Sequence, residues 1–569
     1  MRRMNLGKCS FRAFFTLTTL TLVTTPTWAA EPTPQKKNIE RGREIFEREW
    51  TSRDPAPIPR RGDEQDIEYA RKLVSLPGDG LGPMHNATSC AACHVGGGAA
   101  GVEHNVTLLT LDPRSDFITK SAAFRLRNRQ TDDVETDPDL KELTAKQLQT
   151  LHPSLVSPSG AVAMDVVVHD HSSRPFYDRI RSDIAQHVPG GIDDEWFNGD
   201  QRTSATIGDR PVIAGRFGGI DFYLSQRNSP PLFGLSLIDR VSIAKLRGVA
   251  LSQARRSGGK VTGRVGAGKF GWRGQTTTLA AFVEGACAGE LGLQVPSFDQ
   301  PADAADETYV SIGYDLNEHQ LRSLHDYVAS IPPPPVPRST PESHTGRRVF
   351  NRIGCNVCHV ANMMPASGIY SDLLLHDMGV YLQAPSPAAL GSPGKEFTAP
   401  VMQLPRFASR PTNDVIAQLS DPTLQLFRTT RGSFARLGSS VSGYYGSGGT
   451  PTPYPFKRPE KPMFPRGDLP KQVAQGNQLY WDVLQREWRT PPLWGVADTG
   501  PYLHDGRAET LDAAIRWHDG EGEASATLYR SLSEADRTSL IQFLESLKAP
   551  IETPAEDSVD MLSLLGSSN

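Results

Sequence analysis

The chain has 569 residues, 38% hydrophobic and 22% charged, which is enough apolar material to bury cores in three or four units of roughly 150 residues each. Lys and Arg number 60 against 64 Asp and Glu, leaving none of the basic excess that holds a polyanion, so nucleic acid is not an expected partner. With 51 Gly and 45 Pro, much of the chain should be loop.

Residues 1–29 carry Arg2, Arg3, Lys8 and Arg12, then an apolar run over 14–23, then Thr27, Trp28 and Ala29. This order predicts a signal peptide cut after Ala29. The apolar run is well short of the roughly 20 residues that span a bilayer, so no transmembrane span is expected in the mature chain. Losing four positive charges and no acid takes the formal charge from −4 to −8, which favours a basic partner.

Further along stand two Cys-x-x-Cys pairs, each followed directly by histidine: Cys90, Cys93, His94 and Cys355, Cys358, His359. This is the attachment spacing of a c-type haem. Two thiols three residues apart reach the two vinyl groups of one porphyrin, and the adjacent histidine comes up beneath the iron. A disulfide within each pair would not require the histidine, and one zinc site would need pairs far apart in sequence to converge. A thioredoxin-like pair would need a βαβ pattern that is not seen. Two covalent c-type haems are therefore expected.

The chain also repeats itself. Gly42 and Phe46 stand before the first motif as Gly346 and Phe350 stand before the second, although an insertion separates Phe46 from Cys90. Val166, Val167, Val168, His169, Asp170 answers to Leu373, Leu374, Leu375, His376, Asp377. Pro230, Pro231, Leu232, Phe233, Gly234 answers to Pro491, Pro492, Leu493, Trp494, Gly495. Each half ends on an amphipathic helix with an N-cap pair, Asn317 with Gln320 and Ser533 with Asp536. Between the halves, Pro332 to Pro335 and Pro337 cannot continue a helix. The expected fold is mainly α: two homologous cytochrome c-like haem domains with long irregular Gly/Pro-rich loops, notably 443–470. The expected boundaries are a signal peptide over 1–29, an N-terminal haem domain over 30–331 with insertions, a linker over 332–341, a C-terminal haem domain over 342–550 and a tail over 551–569.

The repeat also points to iron ligands. In the second half, Thr510 and Leu511 open a short helix that carries His518; in the first, Thr278 and Leu279 lead to Ala286 at the matching place. Alanine cannot bind iron, so the first haem is expected to be open to a small oxidant if His518 ligates the second. His376 and Met378 are rival ligands of the second haem. His85, His104, His169 and His171 are candidates for the sixth position of the first. Cys287, next to Ala286, reads as a buried thiol.

The segments NATSCAACHVGGG, FGWRG, LLLHDMG and RTPPLWGVADTGPYLHDGRAETLDAAIRWH resemble those of bacterial di-haem cytochrome c peroxidases and MauG-type enzymes. They are most similar to the branch called di-haem oxidoreductases or thiol oxidoreductases. The resemblance implies a peroxidatic N-terminal haem and a C-terminal haem that accepts electrons, with His518 giving the latter two histidine ligands. It puts Trp272 between the haems as a stepping point and Glu290 near the distal acid that splits the peroxide bond. Trp272 as core and Glu290 as a loop acid remain the bland alternatives. Phe282 replaces a pocket glutamine of the peroxidases, a departure that tells against efficient turnover. The expected function is that of an exported, periplasmic di-haem oxidoreductase reducing hydrogen peroxide, fed by a small cytochrome c or cupredoxin. The alternative is an electron-transfer cytochrome with both irons fully ligated.

Overall fold

The computed structural model describes residues 34–52, 78–94, 105–112, 138–156, 162–173, 176–188, 212–303, 311, 313–335, 340–385 and 485–550. The signal peptide, His104, most of the 30–331 insertions, the 443–470 loop and the 551–569 tail lie wholly or partly outside them. No helix among the described residues is long and apolar enough to cross a membrane.

Two helix pairs repeat one construction. Pro34–Glu47 crosses Glu318–Ser330, and Pro341–Arg352 crosses Glu534–Glu545. Each crossing is tight at a glycine: a Cβ on Gly42 would stand 1.9 Å from the Ser323 carbonyl oxygen, and one on Gly346 would stand 1.9 Å from that of Ser539. One turn on, Phe46 and Phe350 are buried. The caps that start these helices are in the sequence. Asn317 and Gln320 form a reciprocal capping box, as do Thr340 and Ser343. Ser533 accepts from the Asp536 N–H, but the Asp536 carboxylate turns outward to Arg352 at 2.6 Å, so that pair caps in one direction only.

The expectation of a mainly α fold is corrected: the described chain mixes helix and sheet. Four antiparallel strands lie in the order Asp165–Val168, Asn105–Leu111, Ile220–Asn228, Val212–Phe217. One face packs Leu109, Leu111, Val166, Phe222 and Leu224 against Leu148, Leu151 and Ile184 of the helices Pro138–Leu151 and Tyr177–Gln186. From the other face, Val212 and Tyr223 pack against Tyr381, Leu382, Trp488 and Trp517 of the second half. A strand covered on both faces has no polar side to alternate with, so its period of two is lost from the sequence. The hairpin was nevertheless marked: Phe217 pairs with Ile220 around Gly218 and Gly219, and Gly218 takes the positive φ of 56° that such a two-residue turn needs.

The repeated Pro-Pro-Leu-aromatic-Gly segments meet reciprocally. Phe233 lies where a Cβ on Gly495 would be, at 2.3 Å, and Trp494 lies where one on Gly234 would be, at 2.8 Å. Both rings belong to the largest apolar core, which also takes in Met363, Ile369, Leu373 and Leu374 from the second half.

Candidate functional site

Around the second motif, the helix Pro341–Arg352 ends and Gly354, at φ 92°, turns the chain into the 3-10 turn Cys355–Val357. The His359 ring rests 6.3 Å from Phe350, and its Nδ1 meets the Tyr370 carbonyl at 3.0 Å. Tyr370 takes a left-handed φ of 47°, backbone strain placed where its carbonyl orients a ring. Across from it, His518 closes the helix Leu511–Trp517, with Nδ1 on the Ala514 carbonyl at 2.9 Å. In each ring the carbonyl fixes the proton on Nδ1 and leaves Nε2 as the donor for a metal. Burial, with His518 facing it, lowers the His359 pKa to about 4, so that lone pair is bare at neutral pH.

The two ring centroids are 6.4 Å apart. A metal–nitrogen bond of about 2 Å, plus the roughly 1.1 Å from nitrogen to ring centre, sets two imidazoles on opposite sides of one ion about 6 Å apart. This spacing fits a haem whose iron His359 and His518 would hold and whose vinyl groups Cys355 and Cys358 would take. Neither thiol is in a disulfide; burial pushes Cys355 up to about 12 and raises Cys358.

Of the two rivals, His376 has neither nitrogen to spare. Nδ1 meets Glu521 at 2.5 Å and Nε2 meets Asp372 at 2.9 Å. Burial works against its charge, but the Asp372 and Glu521 carboxylates, one on each ring nitrogen, hold its pKa well above the usual value. A cation with both N–H groups donated cannot ligate iron. Cys358, Asp372 and His376 do bring donor atoms within 4.8 Å of one another, but those atoms are spent on this network. Met378 lies beside His518: a Cβ on Gly522 would stand 3.2 Å from His518 Cδ2 and 3.4 Å from Met378 Cε.

The first motif is built alike. Ser89 caps the turn Cys90–Cys93 and is held by Glu49 at 3.0 Å. His94 N–H donates to the Cys90 carbonyl at 2.9 Å, as His359 N–H donates to that of Cys355 at 2.9 Å. The His94 ring stands 6.4 Å from Phe46, and burial lowers its pKa to about 4. The difference is on the opposite side. Thr278 caps its helix as Thr510 caps the other, but Leu279–Leu291 runs on past Ala286 and ends beyond Glu290. Among the described residues, no imidazole faces His94 as His518 faces His359. Glu290 is half-buried; its Oε2 receives the Asn86 side-chain N–H at 2.6 Å, and its carbonyl the Asn86 backbone N–H at 2.7 Å. His169 Nε2 meets the neighbouring Gly289 carbonyl at 2.8 Å, and His85 is buried beside Asn86. Phe282 stacks on Phe270. Cys287 is buried in the apolar core, and burial drives its thiol well up, so it is no thiolate at neutral pH.

The Trp272 indole N–H donates to the Asn228 carbonyl at 2.6 Å, and the Trp272 carbonyl receives the Arg489 N–H at 2.9 Å. Trp272 is half-buried, packed in the cluster that joins Tyr223 to Trp488 and Trp517. Sequence reasoning did not single out Trp488, which lies between a stacked His504 ring at 3.7 Å and the Arg273 guanidinium at 3.9 Å. Nor did it find Arg489, whose Nε donates to the Gly271 carbonyl at 2.8 Å while its buried Nη1 has no protein partner among the described residues. A buried guanidinium with a spare donor suits the carboxylate edge of a porphyrin. Arg489 stands two residues before the repeated Pro-Pro-Leu-aromatic-Gly segment and opens the family-like segment RTPPLWGVADTG, the one signal that could have marked it.

Residues 463–547 match the family described as "Di-haem oxidoreductase, putative peroxidase", which bears out the resemblance read from the sequence. No curated protein matches the chain. Among solved structures it is similar to a Kuenenia stuttgartiensis hydrazine synthase pressurized with xenon, at 17% identity over 41% of this chain and with a TM-score of 0.21. The chain spans 57% of the length of that protein, and at such a score the likeness carries no argument.

Proposed function

We propose, from a C-terminal region that matches the di-haem oxidoreductases, that this protein is an exported di-haem c-type oxidoreductase whose first haem reduces hydrogen peroxide. One observation carries the reading: His518 faces His359 across 6.4 Å, while the helix position that matches it in the first half is Ala286. Cys90, Cys93 and His94 would hold one haem; Cys355, Cys358, His359 and His518 would hold the other. Bound haem supplies iron that can take up a small oxidant at an open position and iron that passes electrons when both positions are filled.

The chain's own residues divide the remaining work. Glu290, anchored by Asn86, holds the proton that the departing oxygen needs and is afterwards reprotonated by a proton from solvent. Trp272, tied to Asn228 and Arg489, offers an indole on the route from the second motif to the first. His376, kept cationic, places positive charge beside the second motif. Phe282 puts a ring where a hydrogen-bonding amide would speed turnover, which fits a slow peroxidase or a related oxidation. The electron donor would be a small, basic periplasmic cytochrome c or cupredoxin.

Intact mass and visible spectroscopy test the proposal. The mature protein should carry two covalent haems, one high-spin and one low-spin, and should consume peroxide when reduced donor is present. Two low-spin haems inert to peroxide would make it an electron-transfer cytochrome. A chain with no Soret band would end the haem reading.

A further inference from the structure

The register that sets Pro491 and Pro492 on Pro230 and Pro231 also sets Arg489 on Asn228, and it sets His504 on Trp272 further on. The backbone treats these positions as equivalents. Arg489 N–H donates to the Trp272 carbonyl at 2.9 Å, and Asn228 N–H donates to the His504 carbonyl at 2.8 Å. Both residues are buried, so one half keeps a cation where the other keeps a neutral amide. Three guanidiniums around Arg489 are spent. Arg264 lies on the Glu487 carboxylate, Arg507 lies on that of Asp505, and Arg273 reaches the carbonyls of Glu487 at 2.9 Å, Ala384 at 2.8 Å and Gln485 at 3.2 Å. Arg489 differs: Nε donates to the Gly271 carbonyl at 2.8 Å, but the buried Nη1 has no protein partner among the described residues. A buried charged donor is among the costliest groups to leave unmet. Asp372, the carboxylate whose charge acts on Arg489, is already engaged by Gln253 at 2.8 Å, by the Leu374 N–H at 3.0 Å and by His376 at 2.9 Å. The strand that carries Arg489 is fixed to the segment behind the second motif. Glu487–Arg489 pairs with Leu375–Asp377, and the Thr490 carbonyl receives the Ser371 hydroxyl at 2.7 Å, one residue from the Tyr370 carbonyl that orients His359.

We propose, on the strength of the di-haem reading, that Arg489 holds a propionate of the haem on Cys355 and Cys358 and thereby raises that haem's reduction potential, which neutral Asn228 does not do for the haem on the first motif. Two histidine ligands favour ferric iron and make a poor electron acceptor. Ferric haem carries one more positive charge than ferrous haem, so a fixed cation beside it disfavours the ferric state. The same cation keeps the propionate ionised, because an opposite charge within hydrogen-bond reach lowers the pKa of a carboxyl. Burial lowers Arg489 only to about 10, so the guanidinium stays charged at neutral pH. Arg264, Arg273, Asp372, His376 and Glu487 are the other charged groups on the strands and loops packed against it.

Spectroelectrochemistry of the holoprotein reads each haem's potential from its own spectrum. Arg489→Gln should lower the potential of the low-spin haem by a shift equal to about 10-fold in its reduction equilibrium, the effect of a unit charge roughly 10 Å from the iron at an effective dielectric of about 20. The high-spin haem should keep its potential. The released propionate should then titrate near neutral pH, and because ferric iron favours its ionised form, the low-spin potential of the variant should fall as pH rises. The parent's should stay flat between mildly acidic and neutral pH. Arg489→Lys keeps the charge and should restore both the potential and the flat profile. An unchanged low-spin potential in Arg489→Gln overturns the proposal, as does an equal fall at both haems. A lower potential without the new pH dependence overturns it too, since that is a cation acting at a distance and not on a carboxyl. If neither variant folds, a parental low-spin potential that already falls between mildly acidic and neutral pH overturns it, and a flat one supports it. A holoprotein with these haems that never consumes peroxide overturns the peroxidase reading and leaves Arg489 to be judged by the same potentials. A chain with no Soret band overturns both.

Discussion

At the scale of single residues, the identity of the side chain opposite His359 would decide what a haem held on Cys355 and Cys358 can do. His518→Ala should convert a low-spin signal to high-spin and raise the reduction potential, because it removes a nitrogen donor that favours ferric iron. Met378 lies close enough to His518 to swing in. If it does, the spectrum stays low-spin with a still higher potential, and His518→Ala with Met378→Leu should then be high-spin. A low-spin spectrum in the double variant would refute the assignment. Glu290→Gln should slow peroxide-driven oxidation of the haems by about 100-fold to 10,000-fold and leave both spectra intact, as stopped flow under excess peroxide would register. Equal rates would mean that the acid lies elsewhere. The proposed attachment residues were legible because porphyrin size would dictate their spacing within a few residues. What surrounds them was not: Asn86 is 204 residues from the carboxylate it holds, and no local pattern couples positions so far apart. His376 shows the same limit, since only the fold reveals that Asp372 and Glu521 take both its nitrogens.

At the scale of elements, the glycines at the helix crossings give a test of opposite signs. Alanine usually stabilises a helix interior relative to glycine by about 1 kcal/mol. At Gly346 the new methyl would meet the Ser539 carbonyl and Phe543 Cβ, so Gly346→Ala should instead destabilise by about 1–3 kcal/mol. Denaturation of the holoprotein gives the sign directly; a more stable variant would mean that the helices do not cross there. Gly42→Ala, against Ser323, should behave alike. These crossings were legible as a Gly-x-x-x-Phe pattern repeated ahead of each motif. The four-stranded sheet was not, because Ile220–Asn228 is buried along almost its whole length, polar Asp221, Ser225 and Gln226 included, so polarity does not mark one face for a core and the other for water. The two glycines at its turn were in plain view, and their spacing was the signal left unused.

At the scale of the whole molecule, side chains of the first half grip the second motif. Gln253 donates to the Val357 carbonyl and to Asp372, each at 2.8 Å, and its own carbonyl receives the Gly263 N–H at 2.9 Å. Thr262 gives Glu521 both its N–H, at 3.1 Å, and its hydroxyl, at 2.8 Å. His376 is the cation at the centre of this network. His376→Gln would strand two buried carboxylates and should cost about 3–5 kcal/mol. Its pKa is raised in the folded state above the usual 6.5, so its contribution is fully present below 6.5 and is lost as pH rises through the folded value. The stability gap between parent and variant, from denaturation curves across pH, should therefore be widest on the mildly acidic side and close toward alkaline pH. A gap that widens with rising pH would show that His376 is neutral.

The exchange of rings between the halves has one more consequence. Phe233 fills the notch over Gly495 and Trp494 fills the notch over Gly234, so each half offers a plug and a socket of the same kind. Cut the chain in the proline run, and each fragment keeps an aromatic plug in water and an empty socket beside it. Such fragments are complementary to each other, and each is nearly as complementary to a second copy of itself. The proline run therefore does more than space the halves: by tethering the two different sockets, it makes the mixed pairing intramolecular and keeps like from pairing with like.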